Sequence, residues 1–169
     1  PRFLEAEHQK AVNQPSQENT FRRLHLNQPT DQDKRWLPMD AWKRCERETP
    51  DADLSGKPCF GGLDLSLTDD MTSLVLYWPH NHALRSWFWL PATTIAKRPE
   101  YRDWHRQGFL QQTPGNVVDF AFIESQILVA AKQWSLAAVG YDPWRATEMA
   151  VRLRENHGVN MMECRQGFL

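Results

Sequence analysis

The amino-acid sequence predicts an α/β domain built on a mixed five-stranded sheet, in the order β-β-β-α-β-α-β, with flanking helices and an N-terminal helical linker. Three observations carry this. Three strand-like stretches follow one another through links too short for a crossover. At Asp119 the hydrophobic period changes from that of a strand to that of a helix. Beyond that helix come an apolar run, a second amphipathic segment and a last short strand.

Residues 1–50 are rich in Gln, Asn, Arg and Glu, with apolar residues only in short clusters, and read as a linker or appendage. Within them Leu4 to Val12 predicts a short polar helix. Pro38 with Asp40 marks another helix start, because proline is tolerated in a first turn. The run from Thr49 to Pro58 (TPDADLSGKP) is turn chemistry, which sets the boundary of a domain over residues 51–169. Strands follow at Cys59–Leu65, Thr72–Trp78 and Leu84–Leu90, joined by Ser66–Met71 and by a turn around Pro79–His82. A polar excursion from Pro91 to Gly115 interleaves Lys97, Arg98, Arg102 and Arg106 with Tyr101 and Trp104, and is expected over the sheet edge. Phe120, Ile123, Ile127, Ala130/Ala131 and Trp134 then form one apolar stripe on a helix capped by Asp119. Leu136–Tyr141 is a buried strand. A second helix from near Trp144 carries Ala146, Met149, Ala150 and Leu153 on one face and ends at His157-Gly158. Val159–Cys164 is a fifth strand. With the fourth strand free to lie parallel to the first, this is the strand plan of a ribonuclease H-like fold.

Composition narrows the function classes. Twenty Lys+Arg balance 21 Asp+Glu, so bulk charge does not hold this chain on nucleic acid and any such contact is local. Cys45, Cys59 and Cys164 lie far apart, without a paired-cysteine metal or disulfide pattern. There is no apolar run of membrane-spanning length. No phosphate-binding G-x-x-x-x-G-K-[ST] loop, G-x-G-x-x-G turn or G-x-S-x-G elbow occurs, which excludes a P-loop ATPase site and an α/β-hydrolase triad on this chain.

The candidate chemistry is acidic. Asp64 sits in the otherwise apolar first strand (GGLDLS), where an unpaired buried carboxylate is costly and needs compensation. Asp142 ends the fourth strand (VGYDPW). If those strands are neighbours, their spacing of about 4.8 Å brings both carboxylates to one site at the strand ends. An oxygen-only ligand set suits Mg²⁺ or Mn²⁺, and a pair of such ions supports hydrolysis of a phosphodiester by water. The spacing fits equally a backbone-satisfied Asp64 and an Asp142 that only caps the next helix. Asp69 and Asp70 read as turn residues, Asp119 and Glu124 as helix-start acids, and His80-x-His82 as a surface hairpin. The Lys97–Arg106 stretch either grips a phosphate backbone or is a solvated face.

Five ordered blocks resemble the large terminase subunit of tailed bacteriophages and prophages, in its linker and nuclease parts. They are ENTFRRLHLNQ (18–28) with RWLPM (35–39); GLDLS (62–66) with DMT (70–72); Tyr101-x-x-Trp104-x-x-x-Gly108; TPGNVVD (113–119); and GYDPW (140–144). The resemblance implies a metal-dependent endonuclease domain that cuts concatemeric double-stranded DNA. Asp64 and Asp142 would be its catalytic, metal-binding residues, with Mg²⁺ or Mn²⁺ in a two-metal site. Lys97, Arg98, Arg102 and Arg106 are weaker candidates for DNA contact. The resemblance further implies the portal protein and the small terminase subunit as partners, no membrane association, and the cytoplasm of the bacterial host as location. ATP would belong to an ATPase part preceding Pro1. The family also uses a third acid on a helix well beyond the fifth strand, and the chain ends at RQGFL (165–169) without it. The expectation is therefore a fragment or truncated product of a larger terminase, lacking the C-terminal helix of the nuclease domain. The alternative is a non-catalytic DNA- or portal-docking fragment of a degraded prophage terminase.

Overall fold

The computed structural model describes residues 2–28, 37 and 39–165, with Pro15 through its backbone alone. Contacts divide the chain into two compact units, residues 1–48 and 49–169.

The first unit contains α1 (Arg2–Asn13), α2 (Pro15–Leu26) and α3 (Met39–Arg44). Gln14 alone joins α1 to α2: its extended backbone breaks the helix, and Pro15 restarts it at a position where a missing N–H costs nothing. The two helices run antiparallel, since the Phe3 ring lies 5.6 Å from His25 and the His8 ring 5.5 Å from Phe21. The polar composition that reads as linker thus includes a helix, α2, that its weak apolar pattern does not announce. The helix start read near Asp40 is α3, while Pro38 lies outside the described residues.

The second unit opens with α4 (Asp51–Leu54) and continues through β1 (Pro58–Asp64), β2 (Thr72–Trp78), β3 (Ala83–Pro91), α5 (Ala92–Lys97), α6 (Pro99–Arg106), β4 (Gln111–Thr113), α7 (Phe120–Gln133), β5 (Ser135–Tyr141), α8 (Pro143–His157) and β6 (Met161–Glu163). The strands form one sheet in the order β4-β3-β2-β1-β5-β6. β2 is antiparallel to β1 and β3, as their short links require, and β5 is parallel to β1 through the α7 crossover. The expected five strands are corrected to six. The added strand, β4, sits within the polar excursion and pairs parallel with the end of β3 through Trp89↔Gln111 to Pro91↔Thr113. The return through α5 and α6 provides the crossover a parallel partner needs.

Strand alternation sorts the two faces. Cys59 and Leu63 of β1, Leu74, Leu76 and Trp78 of β2, and Val139 and Tyr141 of β5 point to one face, where they pack on Ile123, Ile127 and Ala130 of α7 and on Ala146, Met149, Ala150 and Leu153 of α8. These helical residues are the stripes read from the sequence. Trp78 and Trp134 meet edge to face at 5.3 Å inside this core, a pairing worth about 0.5–1.5 kcal/mol beyond their burial. On the opposite face a smaller cluster of Leu90, Ile95 and Leu110, with Met71, Phe88 and Tyr101 against it, seats α5 and α6 over β3. The same face over β1 and β5 carries Phe60, Gly62, Asp64 and Gly140 and is exposed or half-exposed.

Candidate active site

Asp64 is the last residue of β1, and Asp142 directly follows β5. The parallel register pairs Leu63 with Tyr141, so the next residue on each strand is one of the two aspartates. Leu63 and Tyr141 are buried in the core. Their successors therefore point to the other face, side by side at the carboxyl ends of adjoining strands. Both line a cleft of about 440 Å³ together with Gly62, Ser73, Gly140 and Cys164. The sheet puts these two sequence-predicted residues together.

The expectation that Asp64 is a buried charge needing compensation is corrected. It is exposed, because it lies at the strand end on the open face, and it makes no hydrogen bond or ion pair with any described residue. Its carboxylate is free for an exogenous partner. Asp142 is half-buried, and its Oδ1 accepts the Trp144 N–H at 3.0 Å, capping α8. One oxygen thereby orients the side chain while the second stays free of protein donors. The capping role read from the Asp-Pro sequence is real and leaves room for a second one.

The floor between the strands is made of two glycines. Gly62 pairs with Gly140, and a Cβ on Gly62 would meet nothing within 4 Å, whereas one on Gly140 would come to 3.1 Å of the Cys164 Sγ. Two carboxylates beside a glycine floor that is open over Gly62 and carries the Cys164 thiol over Gly140, with Ser73 opposite Asp64 in the β1–β2 register, offer hard oxygen donors of the kind that Mg²⁺ and Mn²⁺ take. The residues fit such an ion. Among the described residues no cluster of three His, Cys, Asp or Glu side chains joins them.

Asp69 and Asp70 are exposed on the link between β1 and β2. That link is braced at three points: the Thr72 Oγ1 exchanges hydrogen bonds with the Ser66 N–H and carbonyl, the Thr94 hydroxyl donates to the Thr68 carbonyl at 2.8 Å, and the Val118 N–H donates to the Leu67 carbonyl at 2.7 Å. Asp119 caps α7 by accepting from the Ala121 N–H at 2.9 Å. Glu124 pairs with Arg152 of α8 at 3.0 Å, which holds the Arg152 guanidinium above its usual pKa and ties the two helices together. His82 Nδ1 lies 2.6 Å from the Tyr77 hydroxyl, in the hairpin at the opposite end of the sheet.

The four basic candidates follow β3, whose carboxyl end lies at the same sheet edge as that of β1. Arg98 stacks over Tyr101 at 5.1 Å, Arg102 donates to the Ala96 carbonyl at 2.6 Å, and Arg106 pairs with Asp103 at 2.5 Å. Lys97 is exposed at the end of α5, without a charged partner among the described residues.

Residues 3–169 match the family described as the terminase large subunit, endonuclease domain. The chain belongs to this family. It is 32% identical over 148 residues to the large terminase subunit of Enterobacteria phage HK97, covering 81% of this chain and 28% of that protein. It is 25% identical over 165 residues to protein YmfN of Escherichia coli strain K12, covering 88% of this chain and 36% of that one. The crystal structure of the HK97 bacteriophage large terminase superposes with a TM-score of 0.65 at 29% identity, over 96% of this chain and 35% of the other. This terminase endonuclease domain thus spans about a third of the length of the relatives it matches. Among its described residues no helix is long and apolar enough to cross a membrane.

Proposed function

We propose that this terminase chain carries a metal-dependent endonuclease site that cuts concatemeric double-stranded DNA during packaging, with Asp64 and Asp142 as the residues that hold Mg²⁺ or Mn²⁺. The observation that carries the reading is the placement of both aspartates at adjoining parallel strand ends over the Gly62–Gly140 floor. A divalent cation there supplies Lewis acidity to a phosphodiester. The chain's own residues do the rest. The Trp144 amide fixes the Asp142 rotamer, Asp64 keeps both oxygens available, and the floor is open on its Gly62 side to an approaching DNA backbone. Without a cation the two carboxylates repel a phosphate, so cleavage depends on added metal. Lys97, Arg98, Arg102 and Arg106 extend the DNA track along the same edge of the sheet. The portal protein and the small terminase subunit are the partners this role requires, ATP is used in a separate ATPase part, and the place of action is the cytoplasm of the bacterial host.

The test is nicking of supercoiled plasmid by this chain in Mn²⁺, with Asp64→Asn as control. Nicking that the substitution abolishes supports the reading, and nicking that survives it rejects the site. A second reading is DNA or portal docking without cleavage. Stable DNA binding with no nicking at any Mn²⁺ concentration would select it.

A further inference from the structure

Immediately beyond Asp142 the backbone departs from the helix it caps. Trp144 (φ −58°, ψ 112°) and Arg145 (φ 67°, ψ −11°) adopt the two central conformations of a type II turn, at a place where α8 has already begun. The second position calls for glycine, because a side chain there crowds its own carbonyl. Arginine occupies it. Trp144 is 73% exposed, the most exposed of the large apolar side chains described. The Arg145 guanidinium lies 5.9 Å from the Trp144 ring centroid and forms no hydrogen bond or ion pair with any described residue, although Asp142 is only three residues away. A solvated indole and an unpaired cation, stacked together and held by an unfavourable backbone, lie in the turn whose Trp144 amide fixes the Asp142 rotamer.

We propose that Trp144 and Arg145 form a DNA grip beside the cleft, with the indole against the face of a nucleotide and the guanidinium on a phosphate of the strand led to Asp64 and Asp142. The inference rests on the nuclease reading above. Aromatic faces accept any base and so suit sequence-independent holding. A guanidinium on an aromatic ring keeps its edge N–H groups free for phosphate oxygens. Both groups lie outside the metal ligands, so they are positioning residues for the substrate.

The experiment measures binding of the 169-residue chain to fluorescein-labelled 20-nucleotide single strands and duplexes by anisotropy, in EDTA, across a salt series, alongside thermal melts. Arg145→Gly is the sharpest variant, because glycine relieves the backbone and removes only the side chain. Its melt is expected at or above that of the unmodified chain. Its DNA affinity is expected about 5- to 10-fold weaker, with a duplex salt slope shallower by about 0.9, the value for one lost phosphate contact. Arg145→Lys retains the slope, and Trp144→Ala weakens single-strand binding about 5-fold or more. Unchanged affinity and slope in Arg145→Gly and Trp144→Ala, or no DNA binding by the unmodified chain, would overturn the grip. Because EDTA removes cleavage from the readout, that result is separable from failure of the nuclease reading, which is decided by Mn²⁺ nicking and Asp64→Asn.

Discussion

Asp142 has two jobs in this account, and one pair of substitutions separates them. Its Oδ1 accepts the Trp144 N–H at 3.0 Å and so braces the turn that leads into the regular part of α8, whose Ala146, Met149, Ala150 and Leu153 face the main core. Asparagine caps as well as aspartate does, whereas alanine forfeits about 1 kcal/mol at a typical capped helix. Asp142→Asn is therefore expected to change stability by only a few tenths of a kcal/mol. Asp142→Ala should cost about 1 kcal/mol, which for a unit of this size lowers the melting temperature by about 3–5 °C. Metal holding discriminates differently, because both substitutions remove the charge. Both should reduce Mn²⁺-dependent nicking about 100-fold or more, since even the groups that merely orient metal ligands cost 10- to 100-fold when lost. Differential scanning fluorimetry and plasmid nicking on the same preparations give the two readouts. An Asp142→Asn protein that nicks as well as the unmodified chain would refute the reasoning and leave Asp142 as a helix cap alone.

Gly61 faces the core, where a Cβ would lie 3.0 Å from the Val139 Cγ2 and 3.3 Å from the Leu76 Cδ2. Gly61→Ala should cost about 1–3 kcal/mol by overpacking, read as a lower chemical-denaturation midpoint, while Gly62→Ala, open on its side, leaves that midpoint in place. Burial pushes the Cys59 thiol up to about 11. The folded state thus keeps a proton that the unfolded state releases first, so the stabilisation is complete below about pH 9 and is lost as pH rises toward 11. That loss amounts to about 2–3 kcal/mol and should be missing from the pH–stability curve of Cys59→Ala. Lys97→Glu puts a negative charge on the proposed DNA edge and should weaken duplex binding several-fold at low salt, an effect that vanishes at high salt.

The order of the second unit was legible because its long elements bury one face each. The stripes Ile123–Ile127–Ala130 and Ala146–Met149–Leu153, the caps Asp119 and Asp142 and the closing Gly158 all obey local rules that a single chain displays. The rest depends on partners distant in sequence. β4 is three residues, Gln-Gln-Thr, with no apolar alternation; only its parallel pairing with β3 makes it a strand. α5 carries Thr93, Thr94 and Ile95, poor helix formers that the Leu90–Leu110 cluster holds in place. The exposure of Asp64 was hidden because Gly61 and Gly62 blank the alternation just before it, so the strand reads as evenly apolar. The pairing of Gly62 with Gly140 depends on a register shift between Cys59 and Phe60 that no sequence pattern marks. The candidate site was readable as residue types, Asp64 and Asp142; its glycine floor and the left-handed Arg145 were not.

The central claim is that Asp64 and Asp142 act as one cation site. Titration of the chain with Mn²⁺, following loss of the free-ion electron paramagnetic resonance signal, tests it without requiring cleavage. The account predicts saturable Mn²⁺ binding that either Asp64→Asn or Asp142→Asn alone reduces to the same background, in proteins whose melting temperatures are unchanged. Binding that persists undiminished in either variant would contradict it.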